Sequence, residues 1–178
     1  ASQTTDLLPT IVSRCQNINF RPIPIAKIAD VLVAKGDLKQ DTAAALAILA
    51  KGSLGKALSA DANNWMAWRK ELLERVGSVS TESTQELFVF SEVLVRDKAK
   101  LDDALDLMTT WFRDVLMCKF QPERILNGDF MEDIQGASQE LSVDEILEKM
   151  EAVFAAQSAI SRRANPRLAL EVMMLRLR

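Results

Sequence analysis

The sequence predicts an all-α protein, and three observations carry that prediction. Ala, Leu, Met, Glu, Lys and Arg are plentiful while Tyr is absent, a bias toward side chains that lose little freedom in a helix. Apolar residues recur at three- and four-residue spacing along most of the chain. Helix punctuation falls between these runs: Gly36 and Gly52 follow apolar stretches, Ser142 stands three residues before Glu145, and Pro166 follows Asn165.

Residues 1–21 read differently from the rest. Ser2, Thr4, Thr5 and Asp6 form a polar loop, 7–14 can make one or two turns of helix, and 16–20 alternate so that Ile18 and Phe20 share one face of a short strand. A lone strand leaves its backbone groups unpaired, so this tract is expected to be the end of a larger domain, with the chain a piece of a longer protein. Pro22 and Pro24 then suit a linker and a helix start.

Ile25, Ile28, Ala29, Leu32 and Val33 mark a first helix that Gly36 stops. Asp41 is the expected N-cap of an Ala-rich second helix over 42–51, with Gly52 at the C′ position. Ser53 caps a third, short helix through Ala60. These three form a lid-like bundle over 22–61.

The polar stretch 61–64 is the expected boundary to a second domain, 62–178, of five to six helices. Trp65 and Trp68 open an amphipathic run ending near Gly77. The block Leu87, Phe88, Val89, Phe90, Val93, Leu94 and Val95 predicts a helix over 82–95 that is buried on most sides. The clearest helix carries Leu101, Ala104, Leu105, Met108, Trp111, Phe112, Val115 and Leu116. Pro122 and Asn127-Gly128 break the pattern, and a shorter helix runs over 131–139. Behind the Ser142 and Glu145 capping box, Ile146, Leu147, Met150, Val153, Phe154, Gln157 and Ile160 are the expected inner face. On the last helix Arg167, Glu171 and Arg178 mark a narrow polar stripe, and Leu168, Ala169, Leu170, Val172, Met173, Leu175 and Leu177 cover the remainder. So wide an apolar surface needs more than one neighbour: the helix either lies at the centre of its bundle or is shared with another subunit.

Composition removes many functions. A net charge of -3 offers no basic face to a phosphate backbone, so strong DNA binding by this chain alone is not expected. Absence of His removes Ser/His and Cys/His catalysis and His-ligated zinc, and no metal site is expected. A Gly-x4-Gly-Lys-Ser/Thr loop is missing, so unaided ATP hydrolysis is not expected and the chain is read as no enzyme by itself. Cys15 and Cys118 lie far apart and suit reduced thiols of a cytoplasmic protein. No apolar run approaches the roughly 18 residues that span a membrane. The adjacent acidic pairs Asp102-Asp103 and Glu132-Asp133 read as solvated faces.

Three segments bear a family resemblance. The run Leu7-Leu8-Pro9-Thr10-Ile11-Val12-Ser13-Arg14-Cys15-Gln16 closely resembles the Ser-Arg-Cys segment of AAA+ clamp loaders, found in replication factor C and in subunits of bacterial DNA polymerase III. Gly52-Ser53-Leu54-Gly55-Lys56-Ala57-Leu58 is similar to the start of the sensor 2 helix in the lid domain of that family. Asn165-Pro166-Arg167-Leu168-Ala169-Leu170-Glu171 resembles the final helix of the collar, the helical ring in which five subunits assemble. Together they imply the last lines of an AAA+ ATPase domain (1–21), a lid (22–61) and a collar (62–178).

The resemblance also implies roles. Arg14 would be an arginine finger offered to ATP on the neighbouring subunit, flanked by Ser13 and Cys15 of the motif; the plain reading of Arg14 is a surface salt bridge, and that of Cys15 a small buried apolar residue. Family members that hydrolyse ATP place an Arg where this chain has Gly55, which makes the non-hydrolysing delta prime class the better fit and leaves no cofactor in this chain. Lys56 substitutes poorly for a planar fork and reads more simply as a solvated helix lysine. Leu168, Leu170, Val172, Met173 and Leu175 are the expected oligomerisation residues. The implied partners are the tau/gamma and delta subunits, with the sliding clamp and primed DNA reached through the complex. A tau/gamma-type subunit and an unrelated helical adaptor are the competing readings.

Overall fold

The computed structural model of the chain describes residues 10, 13–16, 21–36, 38–59, 61–80 and 82–178, with the backbone alone at Gly36 and Ala99. The expected helix over 7–14 and strand over 16–20 fall largely outside the described residues. Everything regular among the described residues is helical, as the composition and periodicity require.

From residue 21 on, the described residues begin with three helices: α1 (Ile25–Gly36), α2 (Gln40–Leu49) and α3 (Leu54–Ser59). They close on a small core of Ile28, Ala29, Leu32, Ala43, Leu46, Ala47, Ala50 and Ala57. The alanines let α1 and α2 approach closely, because a methyl fills little space between backbones. Two local expectations are corrected here. Helix α2 starts two residues early, with Lys39 at the N-cap and no side-chain cap; Asp41 sits inside the first turn, where its charge still faces the positive helix end. At the other end Ala50 is the C-cap, Lys51 takes the left-handed position (φ 47°) and Gly52 follows at φ 85°. Gly52 is required for a second reason: a Cβ there would stand 2.3 Å from Pro22 Cβ, and its carbonyl accepts from the Ile23 amide at 3.0 Å. The chain entering α1 is thereby tied to the turn that leaves α2.

Six helices follow: α4 (Ala62–Ser78), α5 (Thr84–Val95), α6 (Lys98–Phe120), α7 (Met131–Glu140), α8 (Val143–Ser161) and α9 (Pro166–Leu177), with 3-10 turns at Pro122–Arg124 and Gly128–Phe130. Asp61 caps α4 through the Asn64 amide at 3.2 Å. The central helix is α6, which packs against α4, α5, α7 and α8. Its predicted face is buried from Leu101 through Val115, and Trp111 meets Phe130 edge-on at 6.3 Å. Helix α9 lies at the periphery, between α5 and α8, so of the two readings of its wide apolar surface the central one is excluded.

Helices α5 and α8 are less buried than expected. Helix α5 begins behind Ser83, with a capping box to Glu86; it packs mainly on α6 and α9, and Val89 and Val93 point outward. On α8 the inner face is Ile146, Ala152, Val153 and Ala156, whereas Leu147 and Phe154 are exposed. The small residues face inward there because α9 comes close. Lys149 donates to the Leu177 carbonyl at the end of α9, and burial holds its ammonium below the usual lysine range.

The Ser142 box forms as expected. Ser142 Oγ accepts from the Glu145 amide at 3.3 Å, and Glu145 Oε2 accepts from the Ser142 amide at 2.8 Å. Hydrogen bonds from the Ser142 hydroxyl and amide hold the Glu145 carboxyl below the usual glutamate value of 4.5. A depressed folded pKa means stability that is present above the unfolded value and lost as pH falls through the folded one. Thermal melting should therefore show wild type losing its advantage over Glu145→Gln as pH drops below about 4.5. Ser142→Ala should cost about 1 kcal/mol at neutral pH.

Candidate functional site

Around the Ser-Arg-Cys motif the described residues are 10 and 13–16. Ser13 Oγ donates to the Thr10 carbonyl at 3.2 Å, and Arg14 is exposed on a turn. Among the described residues Arg14 enters no ion pair, which leaves its guanidinium presented to solvent. Cys15 is exposed rather than buried, and belongs to neither core cluster.

In the second motif each residue has a local task. Gly52 permits the turn described above. Ser53 Oγ accepts from the Lys56 amide at 3.4 Å, capping α3. Gly55 is exposed, with nothing near the position of a Cβ. Lys56 is not a free solvated lysine: its Nζ lies 2.5 Å from Asp103 Oδ1 on α6. Asp103 is correspondingly no solvated acid, while its neighbour Asp102 is exposed.

The third motif divides by helical phase. Asn165 Oδ1 accepts from the amides of Arg167 and Leu168, at 3.0 and 3.4 Å, and Pro166 occupies the first helical position. Leu170 and Met173 point inward and are 0% and 1% exposed, together with Met174 and Leu177. Leu168, Val172 and Leu175 point outward at 59%, 50% and 48%. Helices α5 and α9 run antiparallel, since Arg167 reaches Glu92 (3.7 Å) at one end and Arg178 reaches Thr84 Oγ1 (3.2 Å) at the other. Val89 and Val93 of α5 are exposed as well, at 54% and 51%. Leu168, Val172 and Leu175 thus form an apolar strip along α9, and Val89 and Val93 are a separate exposed group on α5.

Charge rims this strip. Arg167 Nε bonds Glu171 at 2.8 Å, and the Glu171 carboxylate, with Glu92 behind it, raises the guanidinium further above its usual value. On the far side of α9, Arg176 pairs with Glu151 of α8 at 3.8 Å. Between α8 and α9 runs a groove of about 310 Å³ with Ala152, Ala156 and Ala159 on one wall and Leu168, Val172 and Met173 on the other. An apolar centre within a polar rim is the anatomy of a protein interface. Such a surface offers no nucleophile, acid or base, and no group of three or more His, Cys, Asp or Glu among the described residues could hold a metal. No helix among the described residues is long and apolar enough to cross a membrane.

One polar cluster has no counterpart among the sequence-based expectations. Arg69 on α4 is 1% exposed and forks onto Asp129 at 2.5 and 3.0 Å, with Asn127 Oδ1 at 2.6 Å. Its guanidinium lies 4.8 Å from the centre of the Phe130 ring. Asp114, fully buried on α6, accepts from the Leu126 and Asn127 amides, from Asn127 Nδ2 at 2.7 Å and from Arg113 at 2.8 Å. The pair binds the 121–130 connection to α4 and α6, and every polar atom of it named here is satisfied within the protein. That is a structural staple, and no site for a substrate. A signal for it exists in the sequence: Trp65, Arg69, Leu72 and Val76 share one helical face, which places Arg69 among inward positions.

The family described as DNA polymerase III, delta subunit, C terminal matches residues 62–178, which hold α4 to α9 and the apolar strip. No curated protein matches the chain.

Proposed function

This chain belongs to the family of the C-terminal domain of the DNA polymerase III delta subunit, and from that membership we propose that it is the lid and collar part of a clamp-loader subunit of the delta prime type, a cytoplasmic protein. It joins the tau/gamma and delta subunits through the strip of Leu168, Val172 and Leu175, and it hydrolyses no ATP itself. The observation that carries the assembly role is this strip, exposed along α9 within the matched region and rimmed by ion pairs.

Arg14 has the second role. A guanidinium is always charged, and its planar fork matches the oxygens of a transferring phosphoryl group, whose developing charge it stabilises. Arg14 is exposed on a turn and enters no ion pair among the described residues, which suits an offer to ATP held by a neighbour. The absence of an Arg at Gly55 supports a subunit that leaves hydrolysis to others. The clamp and primed DNA are then reached through the complex.

Two measurements test this. Mixing the chain with tau/gamma and delta should give a larger species by size exclusion; elution unchanged by either partner refutes the assembly role. Arg14→Ala in the full-length subunit should leave assembly intact and lower DNA-stimulated ATP turnover by about 10³-fold or more at the site it serves. Unchanged turnover removes the trans-acting role.

A further inference from the structure

Helices α1 to α3 and helices α4 to α9 have separate cores, and among the described residues Trp65 is the side chain that packs against both. The seam between them is poorly filled. A cleft of about 420 Å³ opens on one side among Leu49, Ser59, Trp65, Trp68 and Lys100. Another of about 330 Å³ opens where Ala44 and Ala45 face Ile125 and Leu126.

What crosses the seam is charge. Lys51 Nζ lies 2.5 Å from Asp106, and Lys56 Nζ lies 2.5 Å from Asp103. The aspartates sit one turn apart on α6 and are mostly buried, with side chains 23% and 16% exposed, whereas the lysines reach in from solvent at 62% and 43%. Gln157 of α8 also approaches Asp106, at 3.5 Å. Lys51 makes its contact from a left-handed backbone conformation, φ 47°, that a residue with a Cβ adopts at some cost. Asp61, Asp97 and Lys100 line the first cleft with Lys56, so that lysine stands in a mixed field in which Asp103 is its partner.

We propose that this junction is an electrostatic latch: Lys51 and Lys56 hold the three-helix unit closed on α6, and loss of the two ion pairs frees that unit to turn as a body relative to α6. Lys51 sits on the turn to which Pro22 and Ile23 are tied through Gly52, and Lys56 follows on α3. The latch therefore sets where the chain preceding α1 stands relative to the apolar strip. Its bearing on Arg14 rests on the function proposed above; the latch itself does not.

An exposed ion pair shifts an equilibrium severalfold at most, but two acting on one loosely packed seam shift it by about tenfold, and salt weakens them. Spin labels at Lys39→Cys and Gln135→Cys, with Cys15→Ser and Cys118→Ala, report the distance across the seam in the 178-residue chain. At about 0.05 M salt one narrow distance is expected, and at about 0.5 M a second, longer one should grow. Lys51→Gln with Lys56→Gln should raise the longer population about tenfold at low salt, with far-UV circular dichroism unchanged. Exchanging the pair, Lys56→Asp with Asp103→Lys, should restore the narrow distance when Lys51 is retained. An unchanged distribution in the doubly neutral variant overturns the latch. If that variant loses helicity, the exchanged pair decides, and a broad distribution there overturns the proposal equally.

Discussion

Arg69→Ala should destabilise the chain by about 3–5 kcal/mol, read as a loss of roughly 10 °C or more in the melting temperature. The Arg69 side chain is 2% exposed while making two bonds to Asp129 and one to Asn127. Its removal leaves the buried Asn127 amide oxygen without its cation and opens a void beneath Phe130. Folded domains of this size hold only about 5–15 kcal/mol in total, so such a loss is a large share. Arg69→Lys should recover less than half of it, because a single ammonium cannot fork onto Asp129 and reach Asn127 together. Asp114→Ala should be comparably severe, since the Leu126 and Asn127 amides and Asn127 Nδ2 all direct their bonds to that carboxylate. Both residues act on the connection that carries Asn127, so the double variant should cost less than the two losses added. Additive losses in urea unfolding would show that Arg69 and Asp114 hold separate parts of the fold.

Why the staple is hard to read, while the helices around it are easy, follows from what a pattern encodes. Apolar spacing fixes the phase of a helix whose opposite face is polar, and α6 is such a helix: each residue of its predicted face from Leu101 to Val115 is buried. It says less where apolar residues run nearly all round. On α9 the sequence is equally apolar at Leu168, Leu170, Val172 and Met173, and only packing against α5 and α8 decides that Leu170 and Met173 turn inward. On α5, Val89 and Val93 carry the same ambiguity: an apolar side chain asks to be covered without saying by what. On α8 the ambiguity runs the other way, since Ala152 and Ala156 are inside where the pattern favours the larger Leu147 and Phe154. Close approach of two helices selects small residues, which a ranking by hydrophobicity places last. Arg69 is easily passed over because a charge is ordinarily a solvent residue, and its partners lie 58 and 60 positions away. The same holds for Lys56, whose partner Asp103 is 47 positions distant. The motif residues 13–16 are legible as a string, but their neighbours at 11–12 and 17–20 lie outside the described residues.

The divided faces of α9 make the second large prediction. Val172→Asp and Leu168→Asp point into solvent, so the folded chain accepts either carboxylate at little cost, and the melting temperature should move by no more than a few degrees. In the assembled complex the same carboxylate would be taken out of water against apolar partner atoms with no cation opposite it, a penalty of several kcal/mol. Association with tau/gamma and delta should weaken by about 100-fold or more. The matched control is Leu170→Asp, two residues from Leu168 and 0% exposed. There the charge meets the chain's own core, so this variant should unfold whether or not partners are present. Val89→Asp on the neighbouring helix lies outside that strip and should change binding by no more than a few fold. Binding unaffected by Leu168→Asp and Val172→Asp, measured by surface plasmon resonance with circular dichroism as the check on folding, would place the assembly surface elsewhere. A fall in binding confined to Leu170→Asp would mean that these residues matter only for folding.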